Sequence, residues 1–361
     1  MSVKYWINSE GDVVMTDTQD VIQVVLSVYD PKGTYSRHAG VLMTSLFSKT
    51  SSPVCVTILH DTTLTEDNRA RFQKTADVWD QKVRFIDVSE PILKIGSAEE
   101  IAKLTGPLTR GTLVRGALFR LLIPDLIEGK KVIYLDCDIV VNLDIAELWN
   151  VNIDKFSLAA FLQAPPLKKL IDKIRFWAMR LNKQKYFNSG VLVMNLDRIR
   201  QKYDLAEEAK SFFRRYRFCR RYCDQDILNM LFNGDALQIN ERFNSCGSHA
   251  AVNKAILHFS GAKPWYFPAF KRDYLYWKTL ARSEWRDQLF DAVFEICRNG
   301  DYAHRHTKDC FKRICRQGWR NIWVHNNLFR VPAAYFLELY YRMEDFFARR
   351  KSEKGKNPRP L

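Results

Sequence analysis

Two aspartates separated by one residue interrupt an otherwise apolar run, VIYLDCDIVV, at residues 132–141. At strand spacing Asp136 and Asp138 would point to the same face, because the side chains of a strand alternate between its two faces. Two ionised carboxylates held together repel each other, and burial increases the cost. A divalent cation such as Mg²⁺ or Mn²⁺ would resolve both costs and could bridge to substrate phosphates. The alternative is a solvated strand end that carries two acids.

A second segment, HFSGAKPW at residues 258–265, offers groups that complement this pair. His258 ends an apolar run and could be a third metal ligand. Gly261 would let the backbone approach a ligand closely, and Lys263 offers a cation for a diphosphate. Taken alone, His258 is more typical of a buried core histidine, so its assignment depends on the two aspartates.

Two further segments carry polar groups at the start of apolar elements. KYFNSGVLVMNL, at residues 185–196, places Asn188 at the head of a buried strand, where its amide could hydrogen-bond sugar hydroxyls. A glycine-containing turn explains that segment equally well. CDQDILNMLF, at residues 223–232, opens a helix with Asp224 and Gln225. Helix capping and a favourable interaction with the helix dipole are the alternative for these two residues.

The elements that must position these groups alternate between short apolar strands and helices. We predict strands at 22–30, 53–61, 83–88 and 130–136, and helices at 35–48, from the N-cap Thr65 onward, and at 113–122 with Pro124 as its end. This alternation indicates an α/β fold with a sheet covered on both faces. Ligands of such sheets bind beyond the carboxyl ends of the strands, so functional residues should follow the strands.

Composition limits the class of protein. The chain has 361 residues, of which 47% are hydrophobic, enough for a substantial core. Its formal net charge is +15, and residues 271–361 hold 20 basic against 11 acidic residues. A basic surface suits nucleic acid, anionic lipid or a phosphorylated substrate. The sequence lacks zinc-finger spacing and RRM-like aromatic signatures, so we expect no nucleic-acid partner.

The cellular location is predicted from what the sequence lacks. Its eight cysteines do not form the dense pattern of a small secreted scaffold. The first residues contain no apolar core of signal-peptide length, and no stretch reaches the roughly 18 apolar residues that a membrane span needs. We therefore expect a cytoplasmic protein.

The pattern changes near residue 265, where we predict a boundary between a first domain, 1–265, and a helical, basic and aromatic region, 266–361. Residues 332–351 are predicted as a helix with apolar positions every three to four residues. The aromatic and cationic composition of residues 313–351 suits an anionic membrane surface, such as the inner face of the plasma membrane. A helix packed on the first domain, with a solvated basic face, is the equal alternative.

The ordered set YLDCD, FNSGVLVMNL, DQDILN and HFSGAKPW resembles glycosyltransferase family 8, over about residues 24–265. The resemblance implies a GT-A fold, a Rossmann-like mixed sheet flanked by helices. It also implies a metal-dependent, retaining hexosyltransferase that uses Mn²⁺ or Mg²⁺ and a UDP-hexose donor, glucose or galactose. The acceptor would be a glycan or a lipid-linked saccharide, such as lipopolysaccharide core or another surface polysaccharide.

The resemblance also gives each polar group a role. The implied metal ligands are Asp136, Asp138 and His258. The implied contacts to the nucleotide are Asp30, Tyr35, Asp136, Asp138, Gly261 and Lys263, with Tyr35 stacked on uracil. The implied groups around the transferred hexose are Asn188, Asp224 and Gln225, with Gln225 beneath C1, and Arg120 is implied near both the phosphate and the sugar.

Two features depart from the family pattern. The loop at residues 31–34, between Asp30 and Tyr35, is longer than usual, and Gln163 stands where family members commonly have an acid. The second departure leaves the choice of donor or acceptor open. A non-catalytic sugar-nucleotide-binding or scaffold protein is the alternative function. A nucleotidyltransferase would need a glycine-rich loop after the first strand, where only Gly33 is present.

Overall fold

The computed structural model describes residues 4–7, 13–16, 21–97, 99–101, 111–163, 173, 176–216, 223–246, 251–260, 263–265 and 272–298. The strands are β1 (Lys4–Ile7), β2 (Val13–Thr16), β3 (Ile22–Val28), β4 (Val54–His60), β5 (Lys82–Asp87), β6 (Lys131–Leu135), β7 (Ile139–Asn142), β8 (Leu158–Leu162), β9 (Phe187–Asn195), β10 (Ala236–Gln238), β11 (Ser245–Cys246) and β12 (Ala255–His258). The helices are α1 (Ser36–Phe47), α2 (Glu66–Val78), α3 (Gly111–Leu118), α4 (Ile123–Leu126), α5 (Ala146–Trp149), α6 (Leu196–Lys202), α7 (Leu205–Arg215), α8 (Cys223–Phe232), α9 (Asp273–Leu280) and α10 (Leu289–Arg298). Short 3₁₀ helices cover Pro91–Lys94, Phe119–Leu122, Glu241–Asn244 and Arg286–Gln288.

A seven-stranded mixed sheet forms the centre of the fold, in the order β10-β8-β9-β6-β3-β4-β5. Strand β3 runs parallel to β4 and β6, and β4 runs parallel to β5. Strand β9 is antiparallel to both β6 and β8. Strands β3 and β4 are buried almost throughout, as expected for a sheet covered on both faces, whereas the edge strand β5 is partly exposed. The predicted α/β fold class with a mixed sheet is therefore confirmed.

A second sheet has three strands in the order β11-β12-β7. Its strand β7 begins directly after the paired aspartates. Strand β12 is antiparallel to β7 and parallel to β11. The register places His258 opposite Ile139 on one side and opposite Cys246 on the other. Because β7 follows Asp138 directly, this pairing brings Asp138 and His258 together although 119 residues separate them in the chain.

Helix α1 is buried along its whole length. A Cβ atom at Gly40, in the middle of this helix, would lie within 3 Å of the ring of Trp285. The indole Nε1 of Trp285 donates to Asn68 Oδ1 of α2 at 2.9 Å, and the Tyr276 hydroxyl lies 2.6 Å from His38 Nδ1 of α1. Glycine is needed here because the indole occupies the space of a side chain. Residues 273–287 therefore hold α1 against the rest of the fold.

The chain divides into two compact units, the first with residues 1–264 and 270–289, the second with residues 265–269 and 290–361. Residues 270–289 thus belong with the central sheet, although they lie beyond the boundary that the sequence predicts at residue 265. The aromatic contacts to α1 explain why. Arg71 of α2 adds a two-pronged ion pair to Asp287, with N–O distances of 2.7 and 3.0 Å. The predicted boundary itself stays a prediction.

The predicted C-terminal helix at 332–351 and the basic segment at 313–351 lie outside the described residues. Within the residues described, no helix combines the length and the apolar character needed to cross a membrane.

Two local predictions have different outcomes. Thr65 caps α2 as predicted, since its side chain accepts a hydrogen bond from the Asn68 amide. The prediction that Pro124 ends the preceding helix was wrong, because Pro124 lies in the first turn of α4. A proline is tolerated there since a first-turn N–H has no partner within the helix.

Candidate active site

The turn between β6 and β7 carries both aspartates of the apolar run. Asp136, Cys137 and Asp138 follow the last residue of β6 and precede β7, so they do not belong to a strand. The strand spacing used to predict their convergence was therefore wrong. The two carboxylates nevertheless converge, because the bend turns both side chains toward the end of β12.

Asp136, Asp138 and His258 each offer one ligand atom, and these atoms lie within 4.8 Å of one another. His258 Nε2 is 3.3 Å from Asp138 Oδ1 and 3.8 Å from Asp136 Oδ2. Asp138 and His258 are buried, whereas Asp136 is partly exposed. Two carboxylates with one imidazole fit a divalent cation that accepts both oxygen and nitrogen ligands, as Mn²⁺ does. We call these three residues together with Lys263 the carboxylate corner.

Gly190 makes the tight geometry of the carboxylate corner sterically feasible. A Cβ atom at this position would lie within 3 Å of His258 Cε1 and 2.8 Å from Asp136 Oδ2. The Gly190 carbonyl also accepts a hydrogen bond from the Asp136 amide at 2.8 Å. The backbone of β9 therefore passes directly beside the cluster, and only glycine leaves room for both side chains. The sequence predicts only that Gly190 lies at the head of a buried strand or in a turn, and does not show this steric role.

Lys263 forms an ion pair with Asp138 Oδ2. Burial raises the pKa of Asp138, but the charges of Lys263 and His258 outweigh burial and hold that pKa well below its usual range. Burial lowers the pKa of His258, but the Asp138 carboxylate outweighs this and raises it to about 10. Positive charge around Asp138 therefore favours its ionised form, which is the form that binds cations.

Arg120 links the carboxylate corner to a second group of polar side chains. It is buried, and its Nη2 donates to Asp136 Oδ1 at 2.7 Å while its Nε lies 3.3 Å from Asp224 Oδ2. Its Nη1 donates to the Ser189 carbonyl at 2.7 Å. Burial lowers the pKa of Arg120, but Asp136 and Asp224 outweigh it and raise the pKa. The pKa of Asp224 is also raised: burial raises it, and the opposing effect of Arg120 is smaller.

The second group lies where β9 begins and α8 faces it. We call Asn188, Ser189, Asp224 and Gln225 the amide corner. Gln225 Oε1 accepts from the Ser189 amide at 3.1 Å, and Gln225 Nε2 donates to the Tyr186 hydroxyl at 3.1 Å. Both ends of the Gln225 amide therefore have partners, which fixes its orientation.

Tyr186 belongs to this arrangement, although the sequence analysis did not single it out. Its hydroxyl donates to Asp226 Oδ1 at 2.6 Å, and Asp226 is fully buried. Because the hydroxyl proton is donated to Asp226, the hydroxyl oxygen acts as the acceptor for Gln225 Nε2. The buried Asp226 carboxylate therefore holds the Tyr186 hydroxyl in place, and this hydroxyl in turn orients Gln225.

Asn188 has a partner that sequence reasoning also missed. Its Oδ1 accepts from the Gly190 amide and from Asn244 Nδ2, both at 2.9 Å. Asn244 is fully buried, and its Oδ1 lies 2.8 Å from His258 Nδ1. No spacing or motif in the segment ERFNSC marked Asn244 as different from a turn residue.

Asp30 and Tyr35 lie at the carboxyl end of β3. The Asp30 carboxylate is buried and accepts from the backbone amides of Tyr35, at 2.7 Å, and Ser36, at 2.9 Å. Both oxygens thus tie the loop to the start of α1. Tyr35 is half-buried, and burial, followed by Cys137 and Asp138, raises the pKa of its hydroxyl. The hydroxyl therefore lies near the carboxylate corner.

Gln163 and Gly261 complete the predicted set. Gln163 follows β8, is half-buried, and donates its backbone amide to the Tyr186 carbonyl at 2.9 Å. Gly261 lies outside the described residues. Apart from Gly261, the predicted residues assemble around the carboxyl ends of β3 and β6, the start of β9 and the end of β12.

Comparison with a solved structure and with a family model identifies the class of protein. The solved galactosyltransferase LgtC, crystallised with donor and acceptor sugar analogues, superposes with a TM-score of 0.61 at 23% identity, covering 74% of this chain and all of LgtC. The mixed sheet therefore has the GT-A fold. Residues 28–268 match the model of glycosyl transferase family 8. The chain belongs to that family.

Two curated relatives agree with this assignment. General stress protein A of Bacillus subtilis is 26% identical over 274 residues, which cover 68% of this chain and 88% of the relative. Lipopolysaccharide 1,2-glucosyltransferase of Escherichia coli K12 is 27% identical over 175 residues. That match covers 44% of this chain and only about half, 51%, of the relative.

Proposed function

We propose that this glycosyltransferase is a metal-dependent, retaining hexosyltransferase that moves glucose or galactose from a UDP-sugar to a glycan acceptor. The observation that carries the proposal is the carboxylate corner, in which Asp136, Asp138 and His258 lie within 4.8 Å of one another. A buried Arg120 next to it adds positive charge. A nucleoside diphosphate leaving group, accompanied by a divalent cation, matches this charge distribution.

The leaving group would be stabilised from two sides. Asp136, Asp138 and His258 would hold Mn²⁺ or Mg²⁺, which when bound neutralises negative charge on the departing diphosphate. Lys263 and Arg120 would direct their cationic groups at the diphosphate oxygens. Such fixed charges stabilise a transition state effectively, because they need no reorganisation while the charge develops.

The hexose would be held by Asn188, Asp224 and Gln225. Retention of configuration requires either a nucleophile beneath C1 or attack by the acceptor from the side of the leaving group. An amide is a poor nucleophile, and Gln225 is held in one orientation by Ser189 and Tyr186. We therefore favour front-side attack, with the Gln225 amide stabilising positive charge at C1.

The nucleoside would lie against Tyr35, whose ring stacks on uracil in this proposal, with Asp30 beside it. The role of Gly261 in binding the nucleotide stays a prediction. The name of the Escherichia coli relative, a lipopolysaccharide glucosyltransferase, supports a saccharide of the lipopolysaccharide core as acceptor. We propose that the protein acts in the cytoplasm. Contact of residues 313–351 with an anionic membrane surface stays a prediction.

Release of UDP from a panel of UDP-sugars, with Mn²⁺ and with EDTA, tests the proposal. We expect slow hydrolysis of one donor, which EDTA and the substitution Asp138→Asn both abolish. Asp80→Asn is the matched control, because Asp80 is an exposed aspartate far along the chain from the carboxylate corner. A protein that binds UDP in calorimetry but turns over none of the donors would contradict the transferase assignment and favour a non-catalytic binding protein.

A further inference from the structure

Asn244 lies between a predicted metal ligand and a predicted hexose contact. It ends the 3₁₀ helix Glu241–Asn244 and leads directly into β11. Cys246 of β11 pairs with His258 of β12 in a parallel register, so the backbone fixes Asn244 beside the histidine. The side chain is fully buried. The pairing of β11 with β12 therefore fixes the backbone of Asn244, and its side chain has no contact with solvent.

The orientation of the Asn244 amide follows from its neighbours. The Gly190 backbone N–H can only donate, and it donates to Asn188 Oδ1. The group of Asn244 that faces the same Asn188 oxygen at 2.9 Å must then be the Nδ2 donor. Its Oδ1 consequently faces His258 Nδ1 at 2.8 Å. A backbone amide thus determines the direction of every hydrogen bond in this chain of side chains.

The same chain of bonds determines which histidine nitrogen can bind a cation. Asn244 Oδ1 is an acceptor, so His258 Nδ1 carries a proton. His258 Nε2, which faces Asp138 and Asp136, is then the nitrogen that would bind a cation, in place of the proton that it carries while the two carboxylates are its only partners. Hydrogen bonds of this kind orient metal-binding histidines and typically contribute about 10- to 100-fold to metal affinity or activity.

We infer that Asn244 is a positioning residue that couples the carboxylate corner to the amide corner. Its Oδ1 orients His258 toward the cation, and its Nδ2 orients Asn188 toward the hexose. Asn244 would act through these two side chains and would itself touch neither cation nor sugar. The inference rests on the proposed function, since it assumes that His258 binds a cation and that Asn188 contacts the donor.

The two halves of the Asn244 amide can be separated by mutation. Asn244→Asp keeps an acceptor for His258 Nδ1 but replaces the donor to Asn188 with an oxygen. Asn244→Leu introduces a side chain of similar shape and removes both hydrogen bonds, the one to His258 and the one to Asn188. Asn240→Ala is the matched control, because Asn240 is exposed and only caps the same 3₁₀ helix through the Arg242 amide.

The experiment measures two quantities for each variant: affinity for Mn²⁺ in the presence of UDP, by electron paramagnetic resonance of free Mn²⁺, and KM for the donor. Asn244→Leu should lose about 10- to 100-fold in Mn²⁺ affinity. Asn244→Asp should keep wild-type Mn²⁺ affinity while its donor KM rises about tenfold, the effect of one lost buried hydrogen bond. Asn240→Ala should match wild type in both.

The outcomes distinguish this inference from the proposed function. Wild-type protein that binds neither UDP nor Mn²⁺ would contradict the proposed function. Wild-type protein that binds both, together with a folded Asn244→Leu variant of unchanged Mn²⁺ affinity, would overturn only the role of Asn244 toward His258. An unchanged donor KM in Asn244→Asp would overturn the coupling to Asn188, and this nearly isosteric variant decides the question if Asn244→Leu does not fold.

Discussion

The carboxylate corner and the amide corner are adjacent, yet different forces hold them. In the first, charges dominate: Asp138 lies among Lys263 and His258, and the pKa values of both Asp138 and His258 respond to this. In the second, neutral groups with defined directions dominate, as in the contacts of Gln225 to Ser189 and Tyr186. Charge attraction tolerates small displacements, whereas amide hydrogen bonds do not. In the proposed function, this difference suits a first corner that would bind a cation and a second corner that would orient a sugar ring.

Arg120 contacts both corners, through Asp136 and Asp224, so its removal should have the largest effect. Arg120→Met leaves Asp136 and Asp224 without their buried cation, and unpairing a buried ion pair typically costs about 3–5 kcal/mol. We expect a loss of this size in the free energy of unfolding by urea, and loss of UDP release. Arg282→Met, at an exposed arginine, is the control. A stable, active Arg120→Met variant would show that the corners are independent.

Gly190→Ala should damage the carboxylate corner alone. The added methyl group would overlap His258 and Asp136, so the expected cost in unfolding free energy is about 1–3 kcal/mol. Mn²⁺ affinity should fall, because the ligands are forced apart. Gly234→Ala provides the comparison, since no atom lies within 4 Å of a Cβ at residue 234. Equal Mn²⁺ affinity in the two variants would contradict the steric role of Gly190.

Tyr186→Phe should damage the amide corner alone. Without the hydroxyl, the buried Asp226 and the Gln225 amide each lose a partner, which costs about 1–3 kcal/mol in stability. We expect kcat to fall while Mn²⁺ affinity stays at the wild-type value. Tyr274→Phe, at an exposed tyrosine, controls for the loss of a hydroxyl. A fall in Mn²⁺ affinity would show that the two corners are not separable at this position.

The ion pair between Arg71 and Asp287 lies outside both corners, and its loss should have the smallest effect on the free energy of unfolding. The hydrogen bond from Arg71 lowers the pKa of Asp287, whose side chain is 56% exposed. A lowered folded-state pKa stabilises the fold above the unfolded-state pKa, about 3.9, and that contribution is lost as pH falls through the folded-state pKa. Asp287→Asn should therefore cost about 0.2–1 kcal/mol at pH 7.

Urea unfolding of wild type and Asp287→Asn across this pH range measures the difference. The gap between the two proteins should shrink as the solution is acidified. A gap that grew on acidification would mean that Arg71 does not stabilise the ionised form of Asp287.

The sequence predicted the sheet, the family and the set of converging side chains, because strong periodicity and ordered motifs report them directly. It gave the wrong reason for the convergence of Asp136 and Asp138, since β6 ends at Leu135 and the spacing argument needed a strand that extends through Asp138. Whether a carboxylate lies in a strand or in the turn after it depends on the pairing of β7 with β12, which local sequence does not encode.

Three residues of the site could not be found from sequence for a related reason. Gly190, Tyr186 and Asn244 act through neighbours that are distant in the chain, and their types are ordinary for a turn, a core and a loop. The nucleoside contact that the resemblance implies for Asp30 stays a prediction. In the structure both of its carboxylate oxygens accept hydrogen bonds from backbone amides.

The indole of Trp285 above Gly40 has a consequence for the order in which the protein can mature. Helix α1 begins next to Tyr35 and is complete early in synthesis, but the ring that covers it is made about 245 residues later. A nascent chain that stops at residue 265 would contain every polar group of the carboxylate corner. It would lack Trp285, so the face of α1 at Gly40 would still be exposed to solvent. The packing of α1 can therefore be completed only after Trp285 has been made, although α1 is among the first helices to be translated.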